Sequence, residues 1–202
     1  SYTGFVALQL VVGYSISDNA GNAMQTPTGG QFIGGAQSYQ LDNEAPLTPC
    51  DLGLELASDC GVSSSDRKTN DNTPTVLGKT SVSGVTQVTL YRAGNIQLGT
   101  TNLLDCGAFG ITSSQLTDGV HQLTAVAVDG AGNLSGTSAA LEVLIDTMVP
   151  TASASASGVT ALQDGQSSYS FTVTYSDDSS GVDTSSFDSS DIVVTGPNSY
   201  QA

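Results

Sequence analysis

The stretch His121–Ser135, HQLTAVAVDGAGNLS, decides how the chain is read. Leu123, Ala125 and Ala127 alternate with Thr124, Val126 and Val128, the period of a strand with one face buried. The run stops at Asp-Gly-Ala-Gly-Asn, Asp129 to Asn133, a composition that turns the chain. A near copy, GYSISDNAGNAM (Gly13–Met24), stands about a hundred residues upstream, with Asp18 and Asn22 in the same places. The repetition predicts one structural unit used twice.

The 202 residues hold 23 Gly and only 11% charged side chains, with many Val, Ile, Thr, Ser and Tyr. Short β-branched runs punctuated by Gly, Asn and Asp predict an all-β chain, and 38% hydrophobic residues suffice for a core. The net charge is −15, and the four cations are Arg67, Lys68, Lys79 and Arg92. Residues 1–46 and 151–202 carry none. Such a chain repels phosphate, which argues against nucleic acid and anionic membranes as partners. No apolar run approaches the length of a membrane span, so no membrane insertion is expected. No signal peptide is recognisable and the sequence does not start with Met, so a piece of a longer secreted protein is expected. Carboxylates this dense repel one another unless cations screen or bind them, which leaves two readings: a solvated acidic surface or bound calcium.

Strand-like runs follow one another at short intervals. FVALQLVVGYSIS (Phe5–Ser17) leads into the first glycine-rich loop, and AQSYQLD (Ala36–Asp42) precedes a linker marked by Pro46 and Pro49. DLGLELA, TPTVLGKT, TQVTLYRAG, IQLGTTNLL, AFGITSS, HQLTAVAVD and AALEVLIDTMVP then make about seven strands in about a hundred residues, the pattern of a sandwich. SDCGVSSSDRKTNDN (Ser58–Asn72) reads as one long polar loop, in which Asp59, Asp66, Asn70 and Asp71 are candidate calcium ligands or turn-formers, with Arg67 and Lys68 among them. After Pro150 a new set begins with ASASASGVTAL and SSYSFTVTYS, then DDSSGVD (Asp177–Asp183) as a loop.

The residues that carry a family likeness are SDCGVSSSDRKTNDNTPTVLG, VTLYRAGNIQLGTT and LTDGVHQLTAVAVDGAGNLSGTSAALEVLIDTMVP. Together they resemble the bacterial immunoglobulin-like repeats of large secreted and surface adhesins, including the extender regions of repeats-in-toxin adhesins. Cys60 stands where the family usually has Thr, and Phe109 lies near a usual Trp or other large aromatic. The flanking pieces resemble a back half and a front half of such a unit. The expected architecture is thus all-β, tandem immunoglobulin-like β-sandwich modules, one complete (47–150) and two partial (1–46 and 151–202). What the resemblance implies is a mechanical role: modules stacked end to end, often stiffened by calcium, on a secreted or cell-surface protein. The expected partners are neighbouring modules of the same protein or of identical chains.

In a seven-strand sandwich the loops gather at two poles. Linker residues Asp42 and Glu44 then meet the Asp129–Asn133 loop at the entry pole, and Asp18 and Asn22 occupy the equivalent loop of the preceding unit. Asp146 at the exit pole meets Asp177, Asp178 and Asp183 of the next unit. Calcium takes six to eight oxygens from carboxylates, amides, backbone carbonyls and water, so these residues are its candidate ligands. The same residues also serve ordinary turns by capping backbone N–H groups. No stretch has the EF-hand pattern.

Of the three cysteines, Cys50 and Cys60 are too far apart for a disulfide if the strand between them is extended. Cys106 falls in a loop at the entry pole, so Cys50–Cys106 is the candidate pair, with independent thiols as the alternative. His121, the one histidine, lies on a strand and lacks partners for catalysis. No nucleophile elbow or phosphate loop is present, and paired carboxylates lack an aromatic platform, so no enzyme activity is expected. Three functions remain. They are a structural or adhesive extension module with calcium-stiffened junctions, a filament subunit assembled by strand exchange between partial units, and an accessory module binding a surface glycan or protein, the last favoured if Tyr169, Tyr175 and Tyr200 cluster.

Overall fold

The computed structural model describes residues 4–7, 20, 38–81, 84–102, 107–158 and 168–195. Among the described residues every regular element is a strand, apart from one turn of 3-10 helix at Thr184–Ser186. No helix there is long and apolar enough to cross a membrane.

The first strands, β1 (Gly4–Ala7) and β2 (Ser38–Leu41), pair antiparallel. The remainder of the long run expected to Ser17, and the Asp18–Asn22 loop, lie outside the described residues apart from Ala20. The central unit contains β3 (Cys50–Leu54), β4 (Lys68–Thr69), β5 (Thr75–Lys79), β6 (Val85–Arg92), β7 (Ile96–Thr101), β8 (Ala108–Thr112), β9 (Gly119–Asp129) and β10 (Leu141–Ile145). They form two sheets, ordered β3-β5-β8 and β4-β10-β9-β6-β7. One core joins them: Val76, Phe109 and Ile111 from the smaller sheet meet Leu90, Leu123 and Val143 from the larger. This is the immunoglobulin-like β-sandwich, and it confirms the all-β expectation.

The alternation in the opening stretch does what its period predicts. Leu123, Ala125 and Ala127 are fully buried, while the side chains between them are half-exposed. β9 lies between β6 and β10, and its alanines stand opposite larger partners, Leu90 across from Ala125 and Val88 across from Ala127. Small facing large fills the space between the sheets without strain. In the other sheet Gly78 pairs with Phe109, and a Cβ on Gly78 would lie 2.7 Å from Leu52 Cδ2 and collide with the Phe109 ring. The phenyl group packs onto bare backbone there.

Two expectations need correction. DLGLELA does not continue as a strand to Ala57: β3 ends at Leu54, and Leu56 is 76% exposed. A bulge between Cys50 and Gly53, with Asp51 at φ 54°, shifts its register against β5. Ser58–Asn72 is not wholly loop either. It carries the chain from the smaller sheet to the larger, where Lys68 and Thr69 pair parallel with Leu144 and Ile145. Two backbone bonds hold this short strand, Leu144 N–H to Arg67 O and Asp146 N–H to Thr69 O, both at 2.9 Å.

Beyond Pro150, β11 (Thr151–Ala156) and β12 (Phe171–Ser176) pair antiparallel without a slip. Every residue of β11 is exposed. Val173 and Tyr175 are half-buried on one face of β12, and the Tyr175 ring meets Phe187 at a centroid distance of 4.7 Å.

Candidate functional site

The loop that ends β9 is closed by its own first residue. Asp129 is 7% exposed, and its Oδ1 accepts from Ala131 N at 2.9 Å and Asn133 N at 2.8 Å. Its Oδ2 accepts from Asn133 Nδ2 at 2.9 Å. These donors, the Asn133 side chain foremost, hold the Asp129 carboxyl below its ordinary pKa. Gly132 adopts φ +94°, the left-handed backbone that the turn requires and that glycine adopts without a steric penalty. The strand therefore stops where a buried carboxylate gathers the loop's N–H groups.

This loop sits at the entry pole, as expected. Gly130 N donates to Gly84 O at 3.2 Å, which brings in the loop before β6, and Asn133 Nδ2 donates to Asp42 O at 3.0 Å. The contact with the linker is thus made by the Asp42 backbone carbonyl. The Asp42 carboxylate accepts from Glu44 N at 3.0 Å, and Glu44 is exposed. Asp42, Glu44 and Asp129 do not form a three-carboxylate group among the described residues. Thr80 joins the same pole by donating its N–H to Gly107 O at 2.8 Å and its hydroxyl to Leu47 O at 3.0 Å. Cys50 is an exposed free thiol and Cys60 a half-buried one that donates to Ala57 O at 2.9 Å. Cys106, the expected partner of Cys50, lies outside the described residues.

The exit pole brings carboxylates together. One oxygen each from Asp146, Asp177 and Asp178 lies within 4.8 Å of the others, across the break between β10 and the next pair of strands. Asp146 is 6% exposed; its Oδ1 accepts from Met148 N at 3.2 Å and its Oδ2 from Ser180 N at 2.7 Å. Hydrogen bonding, first from the Ser180 side chain and then from the Ser180 and Met148 N–H groups, lowers the Asp146 pKa against the opposing effect of burial. Asp177 is half-buried, and its Oδ1 accepts from Gly181 N at 2.8 Å and Ser179 N at 3.2 Å. Asp178 is exposed. Asp183, expected in this group, instead caps the 3-10 turn by accepting from Ser185 N at 2.9 Å and Ser185 Oγ at 2.6 Å.

Further residues at this pole carry no signal in the sequence. Asp118 accepts from Thr147 N at 3.1 Å and Thr147 Oγ1 at 2.9 Å, tying the loop before β9 to the linker. Lys68 Nζ lies 3.5 Å from Ser180 O. Between these contacts runs a groove of about 560 Å³ lined by Cys60, Val62, Lys68, Asp146, Met148 and Asp183 among others. Of the tyrosines proposed to cluster, Tyr175 stacks on Phe187, Tyr169 donates to the Ser157 carbonyl, and Tyr200 lies outside the described residues.

Residues 47–147, half of the chain, match the family model of the bacterial Ig-like domain. No curated protein matches the chain. Among solved structures a biofilm associated protein, BSP domain, is similar at 18% identity and a TM-score of 0.36. That match covers 74% of this chain and 20% of the other, so the chain spans about a fifth of that structure's length. With the two-sheet sandwich and a family match over its central unit, the chain belongs to the bacterial Ig-like domain family.

Proposed function

We propose that the chain is a structural, adhesive extension module of a secreted or cell-surface repeat protein, and that calcium stiffens its exit junction. The observation that carries this is the meeting of Asp146, Asp177 and Asp178. Ligands about 2.4 Å from one calcium ion stand roughly 3 to 4.8 Å from each other, depending on the angle between them. Carboxylate oxygens within 4.8 Å of one another therefore fit the shell of one shared ion. Waters and backbone carbonyls of the 177–181 turn would complete it. Asp146 follows β10, while Asp177 and Asp178 follow β12, so an ion held by all of them ties two units into one body. Without it their charges repel and the joint loosens. The role needs no catalytic residue.

The entry junction works by another means in this reading. There Asn133 bonds the linker backbone directly, and Asp129 is engaged by its own loop. Neighbouring modules remain the proposed partners. Phe171, Ile192 and Val194 are about 40% exposed and Val193 is 64% exposed, apolar side chains open to a further unit of the same protein or an identical chain.

The test is thermal unfolding of the chain in millimolar calcium and in chelator, with small-angle scattering on both samples. Calcium at a hundredfold its dissociation constant contributes about 2.7 kcal/mol, which raises Tm by about 10 °C or more in a unit of this size. The scattering should show a longer, straighter particle with calcium. Identical melting and scattering in both media would reject the calcium junction and leave a plain acidic surface.

A further inference from the structure

The β11–β12 pair has two unlike faces. Residues directly opposite one another in an antiparallel pair share a face. Ala152 stands opposite Tyr175, Ala154 opposite Val173 and Ala156 opposite Phe171, so one face is wholly apolar. Thr151, Ser153 and Ser155 stand opposite Ser176, Thr174 and Thr172, so the other carries only hydroxyls. Such a division belongs to a sheet with one face buried. Yet every residue of β11 is exposed, Phe171 is 41% exposed, and Phe187, stacked on Tyr175, is itself 44% exposed. The central unit shows what such a face meets. There β3 follows Pro49 as β11 follows Pro150, and Lys79 of β5 stands across from Cys50 as Ser176 stands across from Thr151. Val173 thus takes the place of Val76, which is fully buried in the core shared with the sheet of β9 and β10. The β1–β2 pair repeats β9–β10. Leu41, the residue before Asp42, stands opposite Gly4, as Ile145, the residue before Asp146, stands opposite Gly119.

We propose that the apolar face of β11–β12 is a docking surface for the β1–β2 pair of a second copy of this chain, and that two copies close into an antiparallel dimer. Within one chain the two pairs stand at opposite poles. Asn133 holds the linker after β2 at the entry pole, and β11 starts at the exit pole, with the 11-residue β9, about 36 Å long, between them. The exposed parts of Phe171, Phe187 and the three alanines, with the half-buried Val173 and Tyr175, offer about 400 Å², half of the roughly 800 Å² per partner that a stable interface buries. A single head-to-tail contact is therefore too small. Two copies laid antiparallel make the contact twice, reach the standard area and leave no open end. Residues 1–46 and 151–202 carry no cation, so the two pieces repel, and salt that screens them strengthens the dimer. The inference rests on the reading of the chain as stacked modules and not on the calcium junction.

The experiment is sedimentation equilibrium of the chain in chelator, from micromolar to submillimolar concentration and at low and high salt, with the variants Ala154→Asp and Ser153→Asp. The parent should dimerise, more tightly at high salt. Ala154→Asp puts a charge on the apolar face and should raise the dissociation constant about tenfold or more. Ser153→Asp lies on the hydroxyl face and at high salt should leave it within a factor of about two. Amide exchange should slow on dimerisation at residues 4–7 and 38–41 as well as at 151–156 and 171–176. Chelator in every sample keeps this result separate from that of the calcium junction. A parent that stays monomeric throughout, or a dimer that Ala154→Asp leaves intact, overturns the proposal. Protection confined to 151–156 and 171–176 overturns the choice of β1–β2, since the face then pairs with itself. A ladder of larger species overturns the closed dimer. Should Ala154→Asp unpair the two strands, the concentration dependence and exchange pattern of the parent decide alone.

Discussion

Replacing Asp178 by Asn should reverse its effect on stability when calcium is added. Asp178 is the exposed member of the exit cluster, whereas Asp146 also holds Met148 and Ser180, so replacing Asp146 would mix two effects. Unit charges 4.8 Å apart, the upper bound within this group, repel by about 0.9 kcal/mol in water, and salt at physiological strength screens roughly half of that. The neutral amide at position 178 removes two of the three pairings, so in chelator the variant gains about 1 kcal/mol. The burial of Asp146 lowers the local dielectric, which makes this a floor. For a unit of about a hundred residues the gain is about 4–8 °C in Tm. In calcium the order inverts, because the variant has lost a ligand and with it most of the roughly 2.7 kcal/mol that saturating calcium supplies. Differential scanning calorimetry on both proteins in both media tests this. A variant that melts with the parent in chelator and gains as much from calcium would refute both the repulsion and the ligand role.

Acid should unfold the chain through Asp146 among others. Its folded pKa is below the ordinary value of 3.8, so its contribution is present above that value and is lost as pH falls through the folded pKa. Urea midpoints measured in chelator from pH 6 to pH 2 should fall less steeply for Asp146→Asn than for the parent. Leu90→Ala empties a fully buried position opposite Ala125 and should cost about 2–5 kcal/mol, seen as a lower urea midpoint at unchanged slope. Gly78→Ala drives a methyl group into Leu52 and Phe109 and should cost about 1–3 kcal/mol by the same measurement, although it adds apolar surface.

The sandwich was legible because its central strands bury one face each. Leu123, Ala125 and Ala127 in β9, like Leu141, Val143 and Ile145 in β10, print the pleat directly onto the sequence. β4 printed nothing: a strand of two residues has no period, and Thr69 is 3% exposed inside a polar run. It exists because the backbone of Arg67 and Thr69 finds partners on β10, a tertiary event. The bulge in β3 was hidden for a similar reason, since DLGLELA alternates well past the point where pairing ends. At the poles, composition located the acids but not their duties. Asp129 and Asp146 look alike as an acid closing a strand. One spends both oxygens on its own loop, and the other reaches the N–H of Ser180 in the following unit. That difference depends on which donors the folded loops present, and spacing does not encode it.

The crossing strand links the loop before it to the exit junction. A chain that changes sheets must leave one edge and join another, and here it does so through Ser58–Arg67, a segment in which Ser58 and Asp59 are buried. The crossing then places Thr69 against Ile145, so that Thr69 O accepts the N–H of Asp146 at 2.9 Å. It also places Lys68 against Ser180 O, across the same groove that Asp66 and Asp146 line. The position of the junction carboxylate is thereby set in part by the loop that leads into β4. An ion at the junction, by fixing Asp146, would in turn hold β4 in place. Calcium should therefore slow amide exchange at Leu144 and Asp146 in the parent and less so in Asp178→Asn. Hydrogen exchange on both proteins, in calcium and in chelator, measures the difference. Equal exchange in both would show that the crossing strand and the junction act alone.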